Sequence, residues 1–153
     1  STLRCRVSPS SMDHAGGARM REVELGYQIP AETYKINRAT LVEYANAGGD
    51  QNPIHQDEAI AKSVGLPDVI AHGMLTMALA GSYVTKWAGS AAAVTEISSR
   101  FTKPVVVPAG VDVEITISAV IDEVSARQVR LEITAECAGV KVLGMAKATV
   151  SLL

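Results

Sequence analysis

Residues 111–137 read VDVEITISAVIDEVSARQVRLEITAEC. Val111, Val113, Ile115, Ile117 and Ala119 alternate with Asp112, Glu114, Thr116 and Ser118. Val129, Leu131, Ile133, Ala135 and Cys137 alternate with Gln128, Arg130, Glu132, Thr134 and Glu136. Side chains on a strand point to opposite faces in turn, so this period of two predicts antiparallel strands with one buried face. A further strand is expected over 94–103. Another is expected over 140–152, after a turn at Ala138–Gly139.

Upstream, 74–87 reads MLTMALAGSYVTKW. It is apolar or small nearly all round, which predicts a buried helix. It is shorter than the roughly 18 apolar residues a membrane span needs. Ala78, Ala80, Gly81 and Ser82 would give it a narrow central face for close approach. One long buried helix followed by a meandering sheet predicts an α+β domain in which the sheet wraps around the helix.

Further upstream, Asn37 reads as the cap of a helix carrying Leu41, Val42, Tyr44 and Ala45, with Gly48 ending it. Asp57 reads as the cap of a short helix, with Ile60, Ala61 and Val64 inward and Gly65 as its stop. Extended segments are expected over 23–34, around Gly26 and Pro30.

Residues 49–73 read GDQNPIHQDEAIAKSVGLPDVIAHG and hold two of the three histidines, His55 and His72. Pro53 fixes its own φ and pushes Asn52 to an extended conformation. Asp50 to His55 therefore reads as a stiff loop that can point an acid and an imidazole at one small space. General acid–base work on a water or a carbon-bound proton needs that arrangement. From the residues alone, a turn with an Asx-type bond at Asp50 and a packed His55 fits equally well.

Composition narrows the classes. At 153 residues with a net charge of −2 and 4% aromatics, the chain has neither a basic footprint nor stacking platforms for nucleic acid. Cys5 and Cys137 lack metal spacing and make a poor disulfide framework, which favours a reducing cytoplasm. Residues 1–19 have little apolar periodicity and no signal-peptide core. A disordered extension is expected there, holding His14, with the domain over 20–153.

Asp50-x-Asn52-Pro53-Ile54-His55, with Tyr44 and Gly49 before it and Ala71-His72-Gly73-Met74 after it, resembles the hydratase 2 motif. That motif marks the MaoC-like (R)-specific enoyl-thioester hydratases and dehydratases. The resemblance runs from about Val23 to the C-terminus, and its spacing is most similar to HadB-type 3-hydroxyacyl-ACP dehydratase subunits. It implies a single hotdog fold, with the long helix as the sausage. It implies reversible syn addition of water to a trans-2-enoyl thioester, on CoA or a carrier protein, by an Asp50–His55 dyad.

The enolate formed in that reaction needs a donor. Gly73 would offer its N–H at the start of the long helix, or would serve only for packing. Asn52 would orient the dyad, bind substrate or hold the turn. His72 is expected to be structural, bonded to the loop, and Tyr44 to be core or pocket wall. Arg100 and Lys103 are candidates for CoA or carrier-protein contact, with Lys62 and Lys86 behind them. His55, Asp57 and His72 are worth weighing as metal ligands, but without a metal-binding signature none is expected, and no other cofactor is.

The resemblance also implies a homodimer or larger homo-oligomer, or pairing with a second hotdog subunit. A thioesterase and a non-catalytic acyl-binding subunit are the rival functions.

Overall fold

The computed structural model describes residues 23–152. The expected extension over 1–19, with His14 and Cys5, lies outside the described residues. Five strands form one antiparallel path. In chain order they are β1 (Gln28–Ile36), β2 (Val94–Phe101), β3 (Val113–Val124), β4 (Gln128–Cys137) and, after a two-residue strand β5 (Val140–Lys141) on β4, β6 (Leu143–Ser151). Their spatial order is β1-β3-β4-β6-β2.

The alternation in the sequence sets the inner face. Ile115, Ile117, Ala119 and Ile121 of β3, and Val129, Leu131, Ile133 and Ala135 of β4, are buried. Burying each of the larger ones contributes about 1.5–3 kcal/mol. The β3–β4 and β4–β6 ladders keep this face continuous. The turn between β4 and β5 uses positive φ at Ala138 (52°) and Gly139 (76°), the backbone a two-residue hairpin requires. Val111 lies ahead of β3 and is exposed, so the inward set starts later than the period suggests.

Three helices complete the fold: α1 (Arg38–Gly48), α2 (Glu58–Ser63) and α3 (Gly73–Ala88). The Asn37 side chain caps α1 through the Thr40 N–H, and Gly49 rather than Gly48 turns the chain out at φ 78°. Asp57 caps α2 through the Ile60 N–H. Ala61 faces inward from α2, but Ile60 and Val64 are exposed, contrary to expectation. A six-residue helix lying on the surface needs only one anchor.

Helix α3 packs on the sheet through Leu75, Thr76, Ala80, Tyr83 and Val84. The Tyr83 hydroxyl donates to the carbonyls of Ile29 (3.2 Å) and Pro30 (2.9 Å), where the β1–β3 register slips. Pro30 cannot donate to the ladder, and the irregularity at this edge accommodates it. The helix is not buried all round. Met74, Ala78, Ser82 and Lys86 form an exposed row at four-residue spacing. Ala80 points the other way, so the small residues do not make one face. The sheet on one side of the helix is the hotdog arrangement, in a single copy. No described helix is long and apolar enough to cross a membrane.

Candidate active site

The loop carrying Asp50 and His55 leaves α1 at Gly49 and is pinned by its own side chains. Asp50 Oδ1 accepts from the Asn52 N–H at 3.1 Å, and Asn52 Oδ1 accepts from the Ile54 N–H at 3.2 Å. Pro53 then opens a single 3-10 turn, Pro53–His55. Asn52 thus holds the turn.

A second segment braces this turn from below. Val69 to Ala71 runs beside Val105 to Val107: the Ala71 N–H donates to Val105 O and the Val107 N–H to Val69 O, both at 2.8 Å. Between them, the Ile70 N–H donates to Ile54 O at 3.2 Å. The Ile70 carbonyl lies 2.7 Å from His55 Nδ1. A carbonyl only accepts, so Nδ1 carries a proton, and the tautomer that this contact selects has its lone pair on Nε2. That Nε2 is 3.8 Å from Asp50 Oδ2. The gap is too long for a direct hydrogen bond. Both atoms are acceptors, and a water about 2.8 Å from each could donate one proton to each.

His72, the residue before α3, is 1% exposed. Its Nε2 lies 3.1 Å from the Asp50 carbonyl and therefore donates to it. Its Nδ1 is buried with no partner among the described residues. Burial, first, and the neighbouring His55 push its pKa below the ordinary value, against the pull of Asp50. The ring stacks on His55, centroids 3.9 Å apart, and the Tyr44 ring is tilted against it at 4.8 Å and 57°. Tyr44 thus supports His72 rather than lining the cleft.

Helix α3 begins at Gly73 without a side-chain cap. The Gly73 N–H meets no acceptor among the described residues and stays free for a ligand. A cleft of about 260 Å³ opens here, lined by His55, Gly73, Thr76, Phe101, Lys103 and Val105 among others. A larger hollow at the β1 irregularity and a charged one on the outer sheet face hold no imidazole.

Two expected cations separate. Lys103 lines the cleft, whereas Arg100 does not. Arg100 precedes Phe101 on β2, and neighbouring strand residues point to opposite faces. Lys62 and Lys86 are engaged by Glu58 and Glu32. Phe101 and Thr76 carried no sequence signal as cleft residues; only β2 register and helical phase place them there.

Donor atoms of Asp50, His55 and His72 lie within 4.8 Å of one another, and among the described residues these could hold a cation. Asp57, the third ligand weighed from sequence, is occupied as the cap of α2. One nitrogen of each histidine already faces a backbone carbonyl, which leaves a sparse donor set.

The family model for the MaoC like domain matches residues 22–138. The 3-hydroxyacyl-thioester dehydratase X of Mycobacterium tuberculosis is 42% identical over 80 residues, covering 52% of this chain and 28% of that protein. A solved MaoC-like dehydratase superposes with a TM-score of 0.83 at 36% identity, over 94% of this chain and 47% of that one. An (R)-hydratase from A. caviae involved in PHA biosynthesis gives a TM-score of 0.75 at 21% identity, over 86% and 98% of the two chains, which is a likeness of fold. The match to the dehydratase thus covers little more than a quarter of its length. With its motif on the loop before α2, its free helix start and its single hotdog sheet, the chain belongs to the MaoC-like domain family.

Proposed function

We propose that this protein catalyses reversible hydration of trans-2-enoyl thioesters to (R)-3-hydroxyacyl thioesters, in fatty-acid metabolism. The observation that carries the reading is the 3.8 Å separation of Asp50 Oδ2 and His55 Nε2, with His55 lining the same cleft as the unbonded Gly73 N–H. The relatives named as 3-hydroxyacyl-thioester dehydratases support it.

In hydration, a water held by Asp50 and His55 forms a C–O bond to the β-carbon and gives its proton to the dyad. The π electrons move onto the thioester as an enolate, whose oxygen accepts from the Gly73 N–H. The α-carbon then takes a proton from the same site, and the dyad returns to its starting state. Asp50 is the preferred base, with His55 sharing and relaying the proton. No metal or other cofactor takes part, so a chelator should leave the rate unchanged.

We place the enzyme in the cytoplasm, where the free Cys137 thiol stays reduced. The chain works as a dimer at least, with itself or with a second hotdog subunit, because β1 and β2 end the sheet with no further strand among the described residues. Light scattering of the purified protein checks this.

Loss of enoyl-thioester absorbance with crotonyl-CoA and a longer trans-2-enoyl-CoA tests the reaction. Steady release of free thiol instead would make the protein a thioesterase. Saturable acyl-CoA binding without turnover would make it a binding subunit.

A further inference from the structure

Phe101 is the chain's only phenylalanine. It is 55% exposed, unlike a core anchor. Its ring lies against the start of α3. A Cβ built on Gly73 would meet its Cδ2, Cγ and Cδ1 at 3.0, 3.0 and 3.1 Å.

The backbone around the ring is firmly set. Phe101 pairs with Leu143 in β6. The Thr102 N–H donates to Val142 O and its hydroxyl to Lys141 O, both at 3.2 Å. Just before this anchor the β2–β6 register slips between Ser98 and Arg100, where Met145 takes φ 48°. A left-handed conformation is unfavourable for a non-glycine residue. Irregularities of this kind beside active sites re-aim side chains. Here the bend lies one residue before an exposed aromatic ring that packs on the Cα side of Gly73.

We propose that Phe101 is a specificity-determining residue of the site and selects enoyl thioesters that are unbranched at the carbon next to the carbonyl. The inference rests on the hydratase reading for where the thioester sits. A thioester oxygen on the Gly73 N–H brings its carbonyl and α-carbon alongside the Phe101 ring. An α-carbon bearing only hydrogen slides along the ring face. A methyl group there is driven into it. One methylene in an apolar site discriminates by about 10–200-fold.

The test is equilibrium binding of butanoyl-CoA and 2-methylbutanoyl-CoA to wild type, Phe101→Ala and Phe101→Leu, by calorimetry. Both thioesters are saturated and cannot be hydrated, so the result does not depend on turnover. Hydration of crotonyl-CoA and its 2-methyl analogue is measured alongside. Wild type should favour the unbranched thioester by about tenfold or more. Phe101→Ala should bring the pair within about threefold, with Phe101→Leu between. Equal binding of both by wild type, a preference that survives in Phe101→Ala, or no binding of either thioester would overturn the proposal. Intact binding preference without hydration would count against the hydratase reading alone.

Discussion

His55 and His72 stack with ring centroids 3.9 Å apart and planes 27° from parallel. The His55 ring faces the Asp50 carboxylate and the His72 ring holds the Asp50 backbone carbonyl. His72 therefore ties the positions of Asp50 and His55 together.

The first prediction concerns this tie and pH. Burial lowers the His72 pKa in the folded protein, whereas the unfolded chain binds its proton near the ordinary value of about 6.5. The unfolded state then binds more protons between those two values. Stability contributed by neutral His72 is fully present above about pH 6.5 and falls as pH drops through the window towards the folded pKa. His72→Gln keeps a donor for the Asp50 carbonyl but removes this dependence. Melting temperatures between about pH 5 and 7.5 should fall more steeply for wild type than for the variant. Parallel slopes would rule the assignment out. The variant should also lose kcat, by up to about 10²-fold, with KM little changed.

The second separates the two roles of Gly73. Gly73→Ala keeps the N–H but crowds the Phe101 ring, which can give way because it is half exposed. Gly73→Pro adds the same crowding and deletes the N–H. Proline suits the first helical position, and His72 already has the extended backbone that precedes it (φ −60°, ψ 133°). Folded Gly73→Pro should lose about 10²–10³-fold in kcat relative to Gly73→Ala, as loss of one oxyanion donor does. Equal rates for the two variants would leave the glycine with a packing role only.

Lys103 supplies the third. It is exposed, lines the cleft and has no ion pair among the described residues. Lys103→Glu should raise KM for enoyl-CoA several-fold, leave kcat unchanged, and do so less at high salt. A pantetheine thioester, which lacks the CoA phosphates, should show no change. Arg100→Glu should leave KM and kcat near wild type on both substrates. Steady-state kinetics on both substrates at two ionic strengths decide it.

The sequence carried the sheet because β3 and β4 repeat one rule, apolar in and polar out, over ten or more residues. It carried the dyad loop because Asn52, Pro53 and Asp57 act through local backbone rules that hold in any fold. It did not show the exposed row on α3, since Met74 and Ala78 look as apolar as Leu75 and Ala80. Nor did it show Phe101 on Gly73. That contact joins residues 28 positions apart, next to a β2–β6 register shift that alternation does not encode. Arg100 and Lys103 looked equivalent until strand direction separated them. The brace from Ile70 to His55 is a backbone carbonyl, and such a partner leaves no trace in residue identity.

The joint action of Asp50 and His55 is tested most directly by a double-variant cycle on enoyl-thioester hydration. The measurement is kcat/KM for wild type, Asp50→Asn, His55→Ala and the double variant, each shown to be folded. Two groups working on one water should each cost about 10²–10⁴-fold alone. The double variant should then lose far less than the product of the two single losses, since either loss disables the same step. Near wild-type turnover in Asp50→Asn, or losses that simply multiply, would contradict the shared-water account.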